Sequence, residues 1–236
     1  MDLFLEGRKA VVTGATRGIG RAIAEALLDA GASVAICART AHDVETAVIE
    51  LSARSKSKVI GKAADVSKKE DVAKFFQFVD QELGGLDLLV NNAGVGVFKT
   101  AAELTDDDWQ RTIGTNLSGV FYCCREALPR LRNRKNGYIV NISSLAGKNA
   151  FAGGAAYNAS KFGLNGLTEA MMLDHRQEGI RVSCVMPGSV ATGFGSGNQA
   201  DWKIAPADIA EIILMLFRMP ARTLISRVEV RPTRPN

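Results

Sequence analysis

The 236-residue sequence predicts an α/β fold, a doubly wound sheet of about seven mainly parallel strands with helices on both faces. Two observations carry that expectation. Short apolar, β-branched runs alternate with longer helical patterns along the whole chain, and strands separated by helices pair in parallel through crossovers. The strand runs are also apolar almost throughout, as strands covered on both faces must be.

Taken in order, "KAVVTG" (9 to 14) reads as the first strand and "GIGRAIAEALLDAG" (18 to 31) as a helix closed by glycine. "SVAICAR" (33 to 39) is the second strand, followed by the helix "AHDVETAVIELSAR". "KVIGKAADV", "KEDVAKFFQFVDQEL" and "LDLLVNNAG" continue as strand, helix and strand. One long helix is expected over about residues 106 to 132, before the strand "GYIVNISS" (137 to 144). "AAYNASKFGLNGLTEAM" (155 to 171) reads as a helix and "GIRVSCVMPG" as a strand. A helix with an Ala-Pro start, "APADIAEIILMLF", and a last strand, "TLISRVEVRP", complete the chain. No linker, repeat or low-complexity segment divides it, so residues 1 to 236 are expected to form a single domain.

Composition narrows the function classes. The hydrophobic share of 47% with 23% charged residues is that of a water-soluble globular chain, and 23 glycines point to tight turns and close backbone approaches. The net charge of +4 is small and spread out, which gives no reason to expect a nucleic-acid partner. The mildly basic run "REALPRLRNRK" (125 to 135) reads as a solvated helix end, where cations suit the macrodipole. Cys37, Cys123, Cys124 and Cys184 have neither metal-ligand nor disulfide-framework spacing, and His42 and His175 stand apart from other ligand types, so no metal site is expected. The N-terminus lacks a secretory pattern and "IILMLF" is too short to span a bilayer. A reduced cytoplasmic protein with no membrane partner is the resulting expectation.

A doubly wound sheet binds ligands outside the carboxyl ends of its strands. The first strand ends in "TGATRGIG", where Gly14, Gly18 and Gly20 span the turn into a helix. Glycines there let a pyrophosphate approach the backbone while the helix N-terminus offers it unpaired amides. The spacing is G-x-x-x-G-x-G rather than the commoner G-x-G-x-x-G. The second strand runs into "CARTAHD", with Arg39 and no carboxylate before Asp43. An acid at that strand end would bind a free ribose and repel a 2′-phosphate. Arg39, and Arg17 in the glycine loop, therefore point to NADP(H) in preference to NAD(H).

"TGATRGIG", "NNAG" (91 to 94), Asn116 in "TNLSG", Ser144 in "NISSLAG", "YNASK" and "PGSVAT" (187 to 192) occur in the order and spacing of the short-chain dehydrogenases/reductases. The chain resembles that family over essentially its whole length, through the joint occurrence of six motifs that are each weak alone. The resemblance implies a Rossmann-type domain and a catalytic set of Asn116, Ser144, Tyr157 and Lys161. Ser144, thirteen residues before Tyr157, fits the family's serine better than Ser143, which reads as a strand-end hydrogen-bonding residue. Lys161 would also hold the nicotinamide ribose, and Asn116 would keep a water near Lys161. Further cofactor contacts are implied at Gly14, Thr16, Arg17, Gly18, Ile19 and Gly20, and at Arg39, Asp65 and Val66 after the second and third strands. Asn92, Ala93 and Gly94 would line the adenosine ribose; Pro187, Gly188, Val190 and Thr192 would border the nicotinamide.

The chemistry of the pair can be reasoned directly. On a helix, Tyr157 and Lys161 share a face one turn apart. Reducing a carbonyl needs hydride at carbon and a proton at oxygen. A free tyrosine has a pKa of about 10; an ammonium about 5 Å away, at an effective dielectric near 20, favours the phenolate by roughly 3 kcal/mol and would bring it to about 8.

These readings lead to an NADPH-dependent carbonyl reductase or alcohol dehydrogenase. A reductase of 3-oxoacyl-carrier-protein or CoA thioesters is the alternative, weakened by the ending "SRVEVRPTRPN", which lacks the "VDGG" frequent in such enzymes. A catalytically silent NADP(H) sensor is the alternative of another class, although binding alone requires neither Tyr157 nor Ser144. The short loop "GFGSGNQADWKI", with Gly193, Gly195 and Gly197, resembles a mobile lid. Phe98, Phe151, Phe194 and Trp202 are candidates for an apolar pocket wall, with core packing an equal reading for the first two. By analogy with relatives, a homodimer or homotetramer is expected.

Overall fold

The computed structural model describes residues 3–132, 134, 136–194 and 200–235. Seven strands form one sheet in the order β3-β2-β1-β4-β5-β6-β7, with every neighbouring pair parallel. They are β1 (Lys9–Thr13), β2 (Ser33–Ala38), β3 (Val59–Ala63), β4 (Leu88–Asn91), β5 (Tyr138–Ile142), β6 (Arg181–Pro187) and β7 (Arg227–Val230). The helices are α1 (Gly18–Asp29), α2 (Ala41–Arg54), α3 (Lys69–Leu83), α4 (Asp106–Ile113), α5 (Gly119–Arg132), α6 (Ala155–His175) and α7 (Pro206–Arg218).

Strand alternation assigns the two faces. Ala10 and Val12, Val34 and Ile36, Leu88 and Val90, and Tyr138 and Val140 turn toward α1, α2 and α7. Val11, Ala35, Leu89 and Ile139 turn toward α3, α5 and α6. Both sets are buried, which is why the inner strands read as unbroken apolar runs. The β7 edge instead alternates exposed charged residues, Arg227 and Glu229, with half-buried valines; charges on an edge strand discourage pairing with another chain.

Local signals set the helix ends. Gly84, at φ 68°, closes α3 in the left-handed conformation, with its amide bonded to Asp80 O. Thr105 and Asp108 form a reciprocal capping box at the start of α4. The Asp208 carboxylate accepts from the Ala205 amide ahead of Pro206, which opens α7. The basic end of α5 is an ion-paired helix terminus: Arg130 reaches Asp80 at 2.7 Å and Arg132 reaches Glu178 at 2.7 Å.

One element departs from the sequence reading. Residues 106 to 132 are not one regular helix, because a π-helical turn over Gly114–Ser118 separates α4 from α5. The amide of Gly119 there bonds to Gly114 O, five residues back. Such insertions recur at functional sites, and this one carries Asn116.

Candidate functional site

The strand order reverses beside β1, whose neighbours are β2 and β4, and a crevice opens there at the carboxyl ends of the strands. A cleft of about 1230 Å³ runs from the β1–α1 loop past β4 and β5 to the loop after β6.

The glycine loop is built for close approach. Gly14 and Gly18 have φ of 64° and 59°, values that glycine adopts freely. A Cβ on Gly14 would stand 2.8 Å from Ala93 Cα, and one on Gly20 would collide with the Asn92 side chain and Gly14 O. Asn92 explains that crowding. Its Nδ2 donates to Thr13 O and Gly14 O, both at 3.0 Å, while Thr13 Oγ1 accepts from the amides of Asn92 and Ala93. Asn92 and Ala93 thus line the cleft and also buttress the loop from β4. Thr13, which sequence reading passed over, is the hinge of that lattice; its place as the last residue of β1 was the only available signal.

The cleft fits a dinucleotide phosphate. Gly14, Thr16, Arg17, Gly18 and Ile19 line it at the N-terminus of α1, which has no side-chain cap, so its first amides face the loop ready for an anion. Ala38 ends β2, and Arg39 beyond it is exposed and lines the cleft, as does the exposed Arg17. The first acid after β2, Asp43, lies on α2 and also lines the cleft. Asp65 and Val66 line it from the β3 side. The Asp65 carboxylate accepts from the Ser67 amide at 3.0 Å and hydroxyl at 2.7 Å. A Cβ on Gly119 would stand 2.8 Å from Val66 O, so this loop rests on the end of the π turn. A dinucleotide in this cleft would be held by the glycine loop, with Arg17 and Arg39 among the residues lining it.

Asn116, Ser144, Tyr157 and Lys161 converge from three elements. Asn116 is fully buried; its Oδ1 accepts from the Val95 amide at 2.8 Å, and its Nδ2 donates to Val95 O and Ser160 Oγ. Ser160 Oγ in turn donates to Tyr157 O at 2.7 Å, so the π turn is tied to the first turn of α6. Ser144 follows β5; its hydroxyl accepts from the Ala146 amide at 3.1 Å and faces Pro187 O at 3.4 Å. Ser143 keeps a strand-type bond from its amide to Val185 O at 2.7 Å, and both serines border the cleft.

Lys161 is buried, with its Nζ 5.8 Å from the Tyr157 ring centroid and donating to Ile142 O at 2.9 Å. Burial lowers its pKa from 10.5 to about 8. The expectation that Lys161 brings Tyr157 down to about 8 does not hold here. Burial is the larger influence and raises the Tyr157 phenol above 10, opposed by a hydrogen bond with Ser144. The hydrogen bond of the ammonium goes to the end of β5, which i, i+4 spacing alone does not reveal.

Gly94 borders the cleft beside Asn116, and Pro187, Gly188, Val190 and Thr192 line it from the end of β6 and the loop beyond. Val190 bridges to Ile204, and the Ala191 amide bonds to Ile204 O at 2.8 Å. That pinch brings Thr192 to the glycine loop, where its Cγ2 would stand 3.4 Å from a Cβ on Gly18. Gly195 and Gly197 of the expected lid lie outside the described residues.

The family model of short chain dehydrogenases matches residues 8–202. The chain belongs to the short-chain dehydrogenase family. A 3β-hydroxysteroid dehydrogenase of Mediterraneibacter gnavus is 40% identical over 201 residues, 85% of this chain and 72% of that relative. The solved alcohol dehydrogenase of the archaeon Thermococcus sibiricus, complexed with 5-hydroxy-NADP, matches with a TM-score of 0.90 at 30% identity, over 97% of this chain and 99% of that one. A metagenomic short-chain oxidoreductase in complex with NADP matches with a TM-score of 0.86 at 40% identity, over 98% and 99% of the two chains. As a short-chain dehydrogenase the protein is an oxidoreductase with a Rossmann-type sheet.

Two further features of this short-chain dehydrogenase bear on its surroundings. Among the described residues, no helix is long and apolar enough to cross a membrane. Cys123 and Cys124 are buried in the core between α5 and the sheet, and burial drives both thiols well above their ordinary range.

Proposed function

We propose that the protein is an NADP(H)-dependent oxidoreductase that reduces a ketone or aldehyde to an alcohol, reversibly, with Tyr157 as general acid and base. The observation that carries this reading is the convergence of Ser144, Tyr157 and buried Lys161 on one cleft whose other end is the glycine loop.

When bound, the reduced nicotinamide supplies the hydride. This chain's residues supply the proton and hold the carbonyl. The Tyr157 phenol, raised further by burial, is protonated at neutral pH, as a donor to a developing alkoxide must be. Ser144 Oγ orients the substrate oxygen toward the Tyr157 hydroxyl. Once Tyr157 gives up its proton, Lys161 faces an anion. With a pKa of about 8, Lys161 is mostly cationic at pH 7. Its charge, 5.8 Å from the ring, favours that anion, but by less than burial disfavours it. The charge stabilises the phenolate when it forms and leaves the resting phenol protonated. Asn116, locked to Val95 and Ser160, fixes the start of α6 and hence the Tyr157 backbone.

NADPH is favoured over NADH because Arg17 and Arg39 line the cleft and β2 ends in Ala38 without a carboxylate. The exposed Trp109, Phe121 and Phe162 on α4, α5 and α6 support a homodimer or homotetramer. A cytoplasmic location and a single catalytic domain complete the reading.

The test is NADPH oxidation by the purified protein with a panel of ketones and aldehydes. Carbonyl-dependent oxidation with one alcohol formed per NADPH consumed is expected. NADPH binding without turnover of any carbonyl would favour the sensor reading, and turnover confined to 3-oxoacyl thioesters would favour that class of reductase.

A further inference from the structure

We infer that the substrate presents its carbonyl on a bulky apolar ring system, a fused alicyclic or aryl ketone, gripped by a collar of Phe98, Phe151 and Phe194. The inference rests on the carbonyl reduction proposed above and specifies its substrate class.

The three rings come from separate loops, after β4, β5 and β6, yet all surround Tyr157. Ring centroids of Phe98, Phe194 and Phe151 lie 5.6, 5.9 and 6.4 Å from that of Tyr157, with Phe98 edge-on to it. Phe98 also sits 5.8 Å from Phe151 and 6.4 Å from Phe194. All three line the cleft, and each remains more than two-fifths exposed: 46%, 44% and 42%. Core packing of Phe98 and Phe151 is thereby excluded. Apolar rings gathered in one exposed concave patch mark a site for an apolar partner.

The collar is built into the backbone. A Cβ on Gly96 would stand 2.8 Å from both the Phe98 and Phe194 rings, and one on Gly154 would stand 2.6 Å from the Phe151 ring. Both positions are thus small enough to admit the aromatic side chains. Buried Asn158, on the first turn of α6, donates to Phe151 O at 2.8 Å and fixes that loop beside Tyr157. The acids lining the cleft, Glu25, Asp43 and Asp65, belong to α1, α2 and the β3 loop, at the dinucleotide end. The tyrosine end offers rings, and edge-to-face contacts favour a flat or fused apolar body over a small hydroxylated one.

The experiment compares kcat/KM with saturating NADPH for 2-decalone, acetophenone, hydroxyacetone and an acetoacetyl N-acetylcysteamine thioester. It uses the wild type, Phe98→Ala, Phe194→Ala and the rescue variant Phe194→Leu. The ring-bearing ketones should exceed hydroxyacetone and the thioester by at least about tenfold. Each alanine variant should lose about tenfold on the ring-bearing ketones and less than about threefold on hydroxyacetone, with NADPH affinity unchanged, and Phe194→Leu should recover part of the loss. Equal rates for hydroxyacetone, preference for the thioester, or alanine losses shared by all substrates would overturn the inference. Binding of 2-naphthol, which cannot be reduced, separates the two levels of the proposal. If it binds the wild type but not Phe98→Ala, while no carbonyl turns over, catalysis is refuted and the collar stands.

Discussion

Replacing Lys161 by methionine removes a buried ammonium while keeping a flexible side chain of similar length, and the consequence for stability can be worked out with its sign. The folded-state pKa of Lys161 is about 8 against 10.5 for the free group. Between those values the unfolded chain binds more protons than the folded one, so the contribution of this lysine to stability rises as pH increases through the window. At or below pH 8 it costs the folded state about 3 kcal/mol relative to a neutral side chain, from 2.5 units at about 1.4 kcal/mol each. Methionine escapes that cost but forfeits the 2.9 Å bond to Ile142 O, worth about 1 kcal/mol. Lys161→Met is therefore expected to be about 2 kcal/mol more stable than the wild type at pH 7 and to lose that advantage by about pH 10.5. Paired urea titrations at pH 7, 8.5 and 10.5 measure the difference. A pH-independent difference, or a variant that is destabilised at pH 7, would refute the reading of Lys161 as a strained buried cation. Turnover should be lost in the same variant, the pattern expected when a functional group is retained at the expense of stability.

Other outcomes follow from the cofactor end. Arg39→Asp places a carboxylate just beyond β2, so the NADPH to NADH ratio of kcat/KM should fall about a hundredfold through the lost charge-assisted bond and added repulsion; an unchanged ratio would dismiss Arg39 as a phosphate ligand. Asn92→Ala strips the 3.0 Å bonds to Thr13 O and Gly14 O and should cost about 2 kcal/mol in urea unfolding. It should also weaken NADPH binding about tenfold, and unaltered affinity would mean the loop holds its shape without the buttress.

The sheet was legible because its strands are buried on both faces, so apolar runs such as Val11–Val12 and Leu88–Val90 announce themselves without alternation. The glycine loop was legible because its three glycines follow a strand and open a helix. The π turn was not. Its residues, Gly114–Ser118, lie inside one continuous helical pattern, and the shift to five-residue hydrogen bonds depends on how α4 and α5 pack around Asn116. The dual part played by Asn92 was equally hidden, since its partners Thr13 and Gly14 lie 79 and 78 positions away. Spacing placed Tyr157 and Lys161 on one face correctly but could not give the sign of the Tyr157 shift, which burial of the phenol decides. Phe98 and Phe151 read equally well as core until the fold brought them, half exposed, to the same tyrosine.

The most direct measurement of the central claim is a comparison of wild type with Tyr157→Phe, by single-turnover reduction of a carbonyl and by equilibrium NADPH binding. Removing the proton donor should lower the rate of the chemical step at least a thousandfold, the scale of positioned acid catalysis with its charge stabilisation, while the NADPH dissociation constant stays within about twofold. Undiminished turnover, or equal losses in binding and turnover, would contradict the assignment of Tyr157 as the acid.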